Sequence, residues 1–420
     1  MTNSIRLWFQ EIPKGVWIAI GVGALLRVWI YSHYPYFPSP DHGDYAQMAQ
    51  NLINTGSLGV TPGVPSAWRL PGFPLIIAAV FWVLRDTNNL LPVLILNLSF
   101  TVAATILIYR IGARVATKRI GLAAAWLTAI NPAVLQLNYD HGIESVFLLM
   151  MTLLAYSLVH LAENPESPRA WAATGVVVGM GLMIRSTMVI FPMCLFFLMW
   201  LTFRPRPHLK FAAIVCATTY IFVAPWMMRN YLQFGRIIPF EDGSSWHAVY
   251  QGSNGVYGIT PDENLPEPMR TYFFERDPKI GPYSKEIALR NIKADPLQYL
   301  GYCVGRLKPL WFSAGWAEVL FGATDALSTY RSRGDWLNMG IKLLMKSLEL
   351  AFMLLMLLGI VSTLMSPPLM LLSSVMLYMN IHVFTMGIPR YTAPVVGIMS
   401  LFCALGFSEI LSRLGQRQTK

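Results

Sequence analysis

Two carboxylates and a histidine open the stretch DHGDYAQMAQNLINTGSLGVTPGVPSAWRLPGFP, with Asp41, His42 and Asp44 at its head and Arg69 just before Pro-Gly-Phe-Pro. It follows a long apolar segment directly, and an ionisable residue beside a membrane span marks a functional site by default because burying it unpaired is costly. Further along, NYDHGIES carries Asp140, His141 and Glu144, GLMIRSTMVIFP carries Arg185, PWMMRNY carries Arg229 and PRYTAP carries Arg390. A carboxylate within hydrogen-bond reach of an acceptor hydroxyl can take its proton. Arginine presents a planar, permanently charged fork that holds phosphate and steadies it as it departs. Together these residue types suit an anionic lipid headgroup and a proton-losing acceptor, and they suggest glycosyl transfer from a phosphate-linked lipid.

The elements that must position them are read from apolar length. The chain has 420 residues, 55% hydrophobic and 13% charged, whereas globular chains carry about a quarter charged residues. Its apolar residues come in runs of the length a helix needs to cross hydrocarbon, so the fold class is an all-α polytopic membrane protein. The net charge of +10 resides mainly in short loops between the runs, which is what topology requires and argues against a nucleic-acid partner. Cys194, Cys216 and Cys403 lie inside apolar runs and only Cys303 is near a loop, so neither a disulfide framework nor a zinc site is expected.

Taken in order, Gly15 to Tyr34 is a retained first span, and Arg6 and Lys14 before it place the N-terminus in the cytoplasm. The 13-residue piece Gly72 to Leu84 is too short to cross and is expected to be interfacial or re-entrant, because the loop RIGARVATKR after Leu90 to Tyr109 is cytoplasmic only if it does not cross. Spans follow at Ile120 to Leu137, Ser145 to Leu161, two halves of Trp171 to Phe203 broken at Arg185-Ser186-Thr187, Phe211 to Met228, Ile341 to Leu364, Leu369 to Thr385 and Tyr391 to Leu411. That makes about ten transmembrane helices. Three regions result: a membrane module 1–228 with its first outer loop 35–84, an extramembrane region 229–340 with one amphipathic helix near Tyr283 to Lys308, and C-terminal spans 341–420. No inverted repeat of the transporter kind is visible. Asp41, His42, Asp44, Arg69, Asp140, His141, Glu144, Arg185, Arg229 and Arg390 all fall on the outer face.

Plainer roles compete for several of these. Asp44 is as well explained as a first-turn acid of the following helix, and Glu144 also starts a helix. Arg69 and Arg229 could snorkel to headgroups, Arg229 beside Trp226, and Arg27 lies near enough to the outer end of its span to do the same. Arg185 is harder to dismiss because it interrupts more than 30 apolar residues. His42 and His141 stand beside acids, yet lone loop histidines are usually solvated, so a divalent metal is the lesser reading and no cofactor is expected.

The run D-x-x-x-Y-x-x-x-A-x-x-L at Asp41 to Leu52, then R-x-P-G-F-P at Arg69 to Pro74, resembles the first outer loop of the GT-C superfamily of polyprenyl-phosphate-sugar glycosyltransferases. NPAVLQLNYDHGIES, GLMIRSTMVIFP, PWMMRNYLQFG and PRYTAP follow in the order of the branch holding the protein O-mannosyltransferases and lipid A aminoarabinose transferases, and the likeness covers Val16 to Pro394. The resemblance implies a GT-C-like fold with re-entrant or interfacial helices on the outer face, and inverting transfer of one sugar from a polyprenyl-phosphate donor. It implies Asp41 as catalytic base or acceptor-binding carboxylate and Glu144 or Asp140 as second-loop acid, with Arg69, Arg185 and Arg390 against donor phosphate or sugar. Asp44, Asp140, His141 and Tyr45 are candidate acceptor or accessory contacts. The acceptor, whether lipid, glycan or protein, stays open, and a bacterial inner membrane with the site facing the periplasm or exterior is the expected setting. A lipid-linked-sugar flippase, or a metal-dependent oligosaccharide transferase, is the alternative.

Overall fold

The computed structural model describes residues 11–33, 40–137, 142–256, 264–277, 279–312 and 315–418. Among them the chain is helical and without strands, as hydrocarbon requires of a polar backbone that must satisfy itself. Six helices are long and apolar enough to cross a membrane: Lys14–His33, Leu91–Val115, Glu144–Glu163, Trp336–Thr363, Pro367–Phe384 and Pro389–Gly415. Leu209–Tyr220 and Val223–Phe234, bent by 48°, make a seventh if taken as one span. The other expected crossings are helical but short. Ile120 to Leu137 forms Lys118–Ala129 plus Pro132–Gln136, and the two halves around Arg185 form Pro168–Leu182 and Phe191–Thr202. A count of ten therefore does not follow from helix length.

Gly72–Leu84 is a 13-residue helix, about 20 Å long. It falls short of the hydrocarbon thickness and ends where Arg85 takes a left-handed conformation at φ 54°. Glu144–Glu163 is the most enclosed of the six spans, with 67% of its apolar window buried inside the protein. The last long helices touch backbone to backbone: a Cβ on Gly359 would stand 1.9 Å from the Phe402 carbonyl oxygen, and one on Gly406 2.0 Å from that of Leu355. Small residues permit such close crossings where no hydrophobic force drives helices together.

The region 229–340 departs from expectation. Instead of one amphipathic helix near Tyr283 to Lys308 it holds Ser244–Ser253, Met269–Phe274, Ile280–Ala294, Pro296–Phe312, Trp316–Phe321 and Leu327–Arg333. The expected single helix is two, because Pro296 cannot continue the preceding one, and Asp295 accepts from the Gln298 amide at 2.8 Å to start the next. Ser244–Ser253 and Ile280–Ala294 pack on each other, and their small core of Tyr250, Leu265, Met269, Ile280 and Ala288 closes over Trp68 from the loop before Gly72–Leu84. Arg306, fully buried, donates to the carbonyls of Gly252, Gly255, Val256 and Val383 and so ties this region to the turn after the Pro367–Tyr378 helix.

Candidate functional site: two buried ion clusters

The first cluster grows from the helix Pro40–Thr55. Asp44, 5% exposed, accepts from Arg69 Nε at 3.3 Å and Nη2 at 3.1 Å through Oδ2, while Arg276 Nη2 reaches Oδ1 at 3.3 Å. Both carboxylate oxygens thus go to arginines, which displaces the reading of Asp44 as a simple first-turn acid. The guanidinium of Arg69 lies 5.6 Å from the Tyr45 ring centre and 5.8 Å from that of Trp68, and Arg276 lies 4.8 Å from Trp68 and 4.9 Å from Phe273. Trp68 therefore stands beside two cations that share one carboxylate. Arg276 sits at φ 55°, a region that costs a non-glycine residue energy and that surrounding contacts must hold.

Around this cluster the loop between the helices Pro40–Thr55 and Gly72–Leu84 is strapped down. Arg229 Nη1 donates to the Ser66 carbonyl at 3.0 Å and Nη2 to that of Leu58 at 2.9 Å, with its guanidinium 5.0 Å from the Trp226 ring centre. It braces the loop rather than merely anchoring at the lipid surface. Arg27 likewise turns inward, donating to the Val134 and Gly23 carbonyls. The Asp242 amide donates to the Ala67 carbonyl at 2.8 Å. Burial raises the Asp242 carboxyl above its ordinary value more than the neighbouring Arg236 lowers it.

Removing the Asp44 carboxylate would take from Arg69 and Arg276 the one acid they share. Breaking a buried pair by deleting one partner typically costs about 3–5 kcal/mol. Asp44→Ala should accordingly lower the thermal midpoint in detergent and speed proteolysis within residues 264–277. Wild-type protection of that segment would contradict the shared-carboxylate role.

The second cluster grows from the start of Glu144–Glu163. Glu144, 5% exposed, places Oε1 3.7 Å from Arg185 Nη2 and 3.8 Å from Arg390 Nε. Those separations exceed a good hydrogen bond, so charge holds the group together without tying these two donors to the carboxylate. Arg185 is brought here by the break in its apolar run: the Pro168–Leu182 helix ends, the chain passes through Arg185 in extended conformation, and the turn Ser186–Met188 follows. Its guanidinium rests 4.9 Å from the Tyr391 ring centre and 5.5 Å from that of Phe147. Arg185 Nη1 is buried and has no hydrogen-bond partner among the described residues.

The two clusters are linked by backbone. Gly72 N donates to the Met183 carbonyl at 2.9 Å, two residues before Arg185. A Cβ on Gly72 would stand 2.6 Å from that oxygen, so glycine allows the approach. Tyr45 meets Phe73 edge-on at 5.8 Å.

The candidate residues thus divide into Asp44, Tyr45 and Arg69 in one cluster and Glu144, Arg185 and Arg390 in the other. Asp41 and His42 lie in the described helix Pro40–Thr55, but their side chains, together with residues Asp140 and His141, lie outside the described set. Among the described residues no group of three or more His, Cys, Asp or Glu could hold a metal ion. Sequence reading missed Arg276, whose segment FFERDPK has no periodicity that would place it. It also missed His382, buried against Tyr391, although an ionisable residue inside an apolar run was the available signal.

Residues 65–228 match the family model described as dolichyl-phosphate-mannose-protein mannosyltransferase. No curated protein matches the chain. Among solved structures, the Archaeoglobus fulgidus oligosaccharyltransferase in its apo form aligns with a TM-score of 0.56 at 13% identity, over 97% of this chain and 51% of that one. The oligosaccharyltransferase AglB of the same organism, in complex with an inhibitory peptide and a dolichol-phosphate, aligns with a TM-score of 0.53 at 13% identity, over 96% and 51%. ArnT from Cupriavidus metallidurans bound to undecaprenyl phosphate gives a TM-score of 0.42 at 13% identity, over 92% and 77%. The chain spans about half the length of the two archaeal structures.

Proposed function

Because the chain is a GT-C-like, multi-pass membrane protein whose residues 65–228 match a mannosyltransferase family model, we propose that it is a membrane glycosyltransferase. On this reading it moves one sugar from a polyprenyl-phosphate donor to an acceptor on the extracytoplasmic face. The observation that carries it is the Glu144 cluster: two arginines converge on one buried carboxylate, and Arg185 keeps a buried donor atom with no hydrogen-bond partner among the described residues. A structural ion pair would use its donors on each other, whereas a site awaiting an oxyanion leaves them aimed elsewhere. The bound dolichol-phosphate of the archaeal structure agrees with a polyprenyl phosphate as the ligand class.

The reaction then runs as a single displacement. An acceptor hydroxyl attacks the anomeric carbon on the face opposite the phosphate, Asp41 takes its proton, and the bond from sugar carbon to phosphate oxygen breaks with its electrons on the departing polyprenyl phosphate. Arg185 and Arg390 stabilise the charge that grows there, and Arg69, set in place by Asp44, adds a cation from the first loop. Asp44 and Tyr45 position rather than react. The polyprenyl tail lies between spans, the membrane is a bacterial inner membrane, and region 229–340 covers the acceptor side.

Purified protein given short-chain polyprenyl-phosphate sugars, with lipid, glycan or peptide acceptors in turn, should release polyprenyl phosphate only when a suitable acceptor is present, and should do so in excess chelator. Lipid movement across vesicles without acceptor, combined with no release from any donor, would replace transfer with transport.

A further inference from the structure

His382 has no part in the reaction as written above. It lies in the turn Met379–Phe384 after the Pro367–Tyr378 helix, is 4% exposed, and stacks on Tyr391 with ring centres 4.3 Å apart and planes at 23°. The same Tyr391 ring carries the Arg185 guanidinium at 4.9 Å and that of Arg390 at 5.8 Å. Tyr391 is therefore a shared platform for the imidazole and for both arginines that meet Glu144.

Two of the groups around this ring, and a third close in sequence to one of them, carry polar atoms unpaired among the described residues. His382 Nε2 and Arg185 Nη1 are buried with no hydrogen bond among the described residues, and so is Thr187 Oγ1, two residues after Arg185. The Thr187 carbonyl accepts from Tyr378 Oη, and Tyr378 is the residue before the His382 turn. Buried polar atoms in native proteins are nearly always paired, so orphaned nitrogens on two groups that share one ring call for a polar partner. Packing alone does not account for the imidazole: phenylalanine would stack on Tyr391 equally well and would desolvate no nitrogen.

We propose that His382 hydrogen-bonds a hydroxyl of the sugar carried by the donor, beside the phosphate position at Arg185 and Arg390. This rests on the glycosyl-transfer reading and names the residue that reads the sugar. Phosphate oxygens on the donor only accept, and two guanidiniums already offer them permanent donors. An imidazole nitrogen donates in one tautomer and accepts in the other, which matches a hydroxyl that can do both. His382 is thereby a specificity residue, while the arginines hold what all donors share.

The test compares bare short-chain polyprenyl phosphate with the same lipid bearing a hexose or a pentose, using wild type, His382→Phe and His382→Gln. Wild type should bind at least one sugar-bearing lipid more tightly than the bare phosphate. His382→Phe keeps the stack and should bind bare phosphate as wild type does, which reports an intact fold and phosphate site. It should lose about tenfold in affinity for the sugar-bearing lipid and in kcat/KM through KM, with part of that loss restored in His382→Gln. Unchanged binding and turnover of the sugar-bearing lipid by His382→Phe would reduce His382 to packing. Equal weakening toward both lipids would move its contact to the phosphate and overturn the hydroxyl assignment. A wild type that neither prefers sugar-bearing lipid nor releases phosphate would remove the transfer reading itself, and this inference with it.

Discussion

Arg185→Ala should lower kcat/KM for polyprenyl-phosphate sugar by about 10²–10³, the loss seen when one preorganised donor to a developing anion is removed. Arg185 is 9% exposed, its guanidinium rests on Tyr391 and Phe147, and it meets Glu144 only at 3.7 Å. Its charge is thus fixed in a poorly screened position before any ligand arrives, and no reorganisation is needed when charge appears on the phosphate. Arg185→Lys keeps the charge without the fork and should recover only part of the activity. Glu144→Gln separates the site's two needs. With its internal carboxylate neutralised, the Arg185–Arg390 pair should bind bare polyprenyl phosphate more tightly while kcat falls, because the product leaves more slowly. Measured affinity for bare polyprenyl phosphate and single-turnover release rates decide it. Arg185→Ala with undiminished turnover would remove this arginine from the reaction.

Asp41→Asn should cut acceptor-dependent release of polyprenyl phosphate by about 10²–10⁴, the range that a positioned general base contributes. Affinity for the donor should change little, since the base acts on the acceptor and not on the phosphate. Asp41 stands in the helix Pro40–Thr55, three residues ahead of Asp44, whose carboxylate is locked to Arg69 and Arg276. The two acids therefore divide the labour differently. Loss of Asp44 should cost stability first, whereas loss of Asp41 should cost rate in a protein that melts normally. Asn at position 41 with wild-type release would transfer the base role to another carboxylate, Glu144 being the nearest alternative in the reading above.

Sequence alone determined the fold class, since runs of apolar residues separated by short basic loops leave only a helical membrane protein, and the backbone confirms it. It also located the break at Arg185 and the short Gly72–Leu84 helix, because both follow from local facts: a charge inside an apolar run, and a run too short to cross. Glu144, Arg185 and Arg390 were legible as candidates because charge near hydrocarbon is conspicuous. Their meeting at one carboxylate was not, because it joins chain segments separated by up to 246 positions. Arg276 was invisible for the same reason, lying in an aperiodic polar segment and reaching Asp44 across 232 residues. Arg229 and Arg27 looked like lipid-surface anchors, and only the packed structure showed their donors turned inward onto loop and helix carbonyls. Local hydrophobicity is written residue by residue, so a sequence can be read for which charges must be sheltered. Which partner shelters each one is decided by helix packing, and that is a property of the folded chain as a whole.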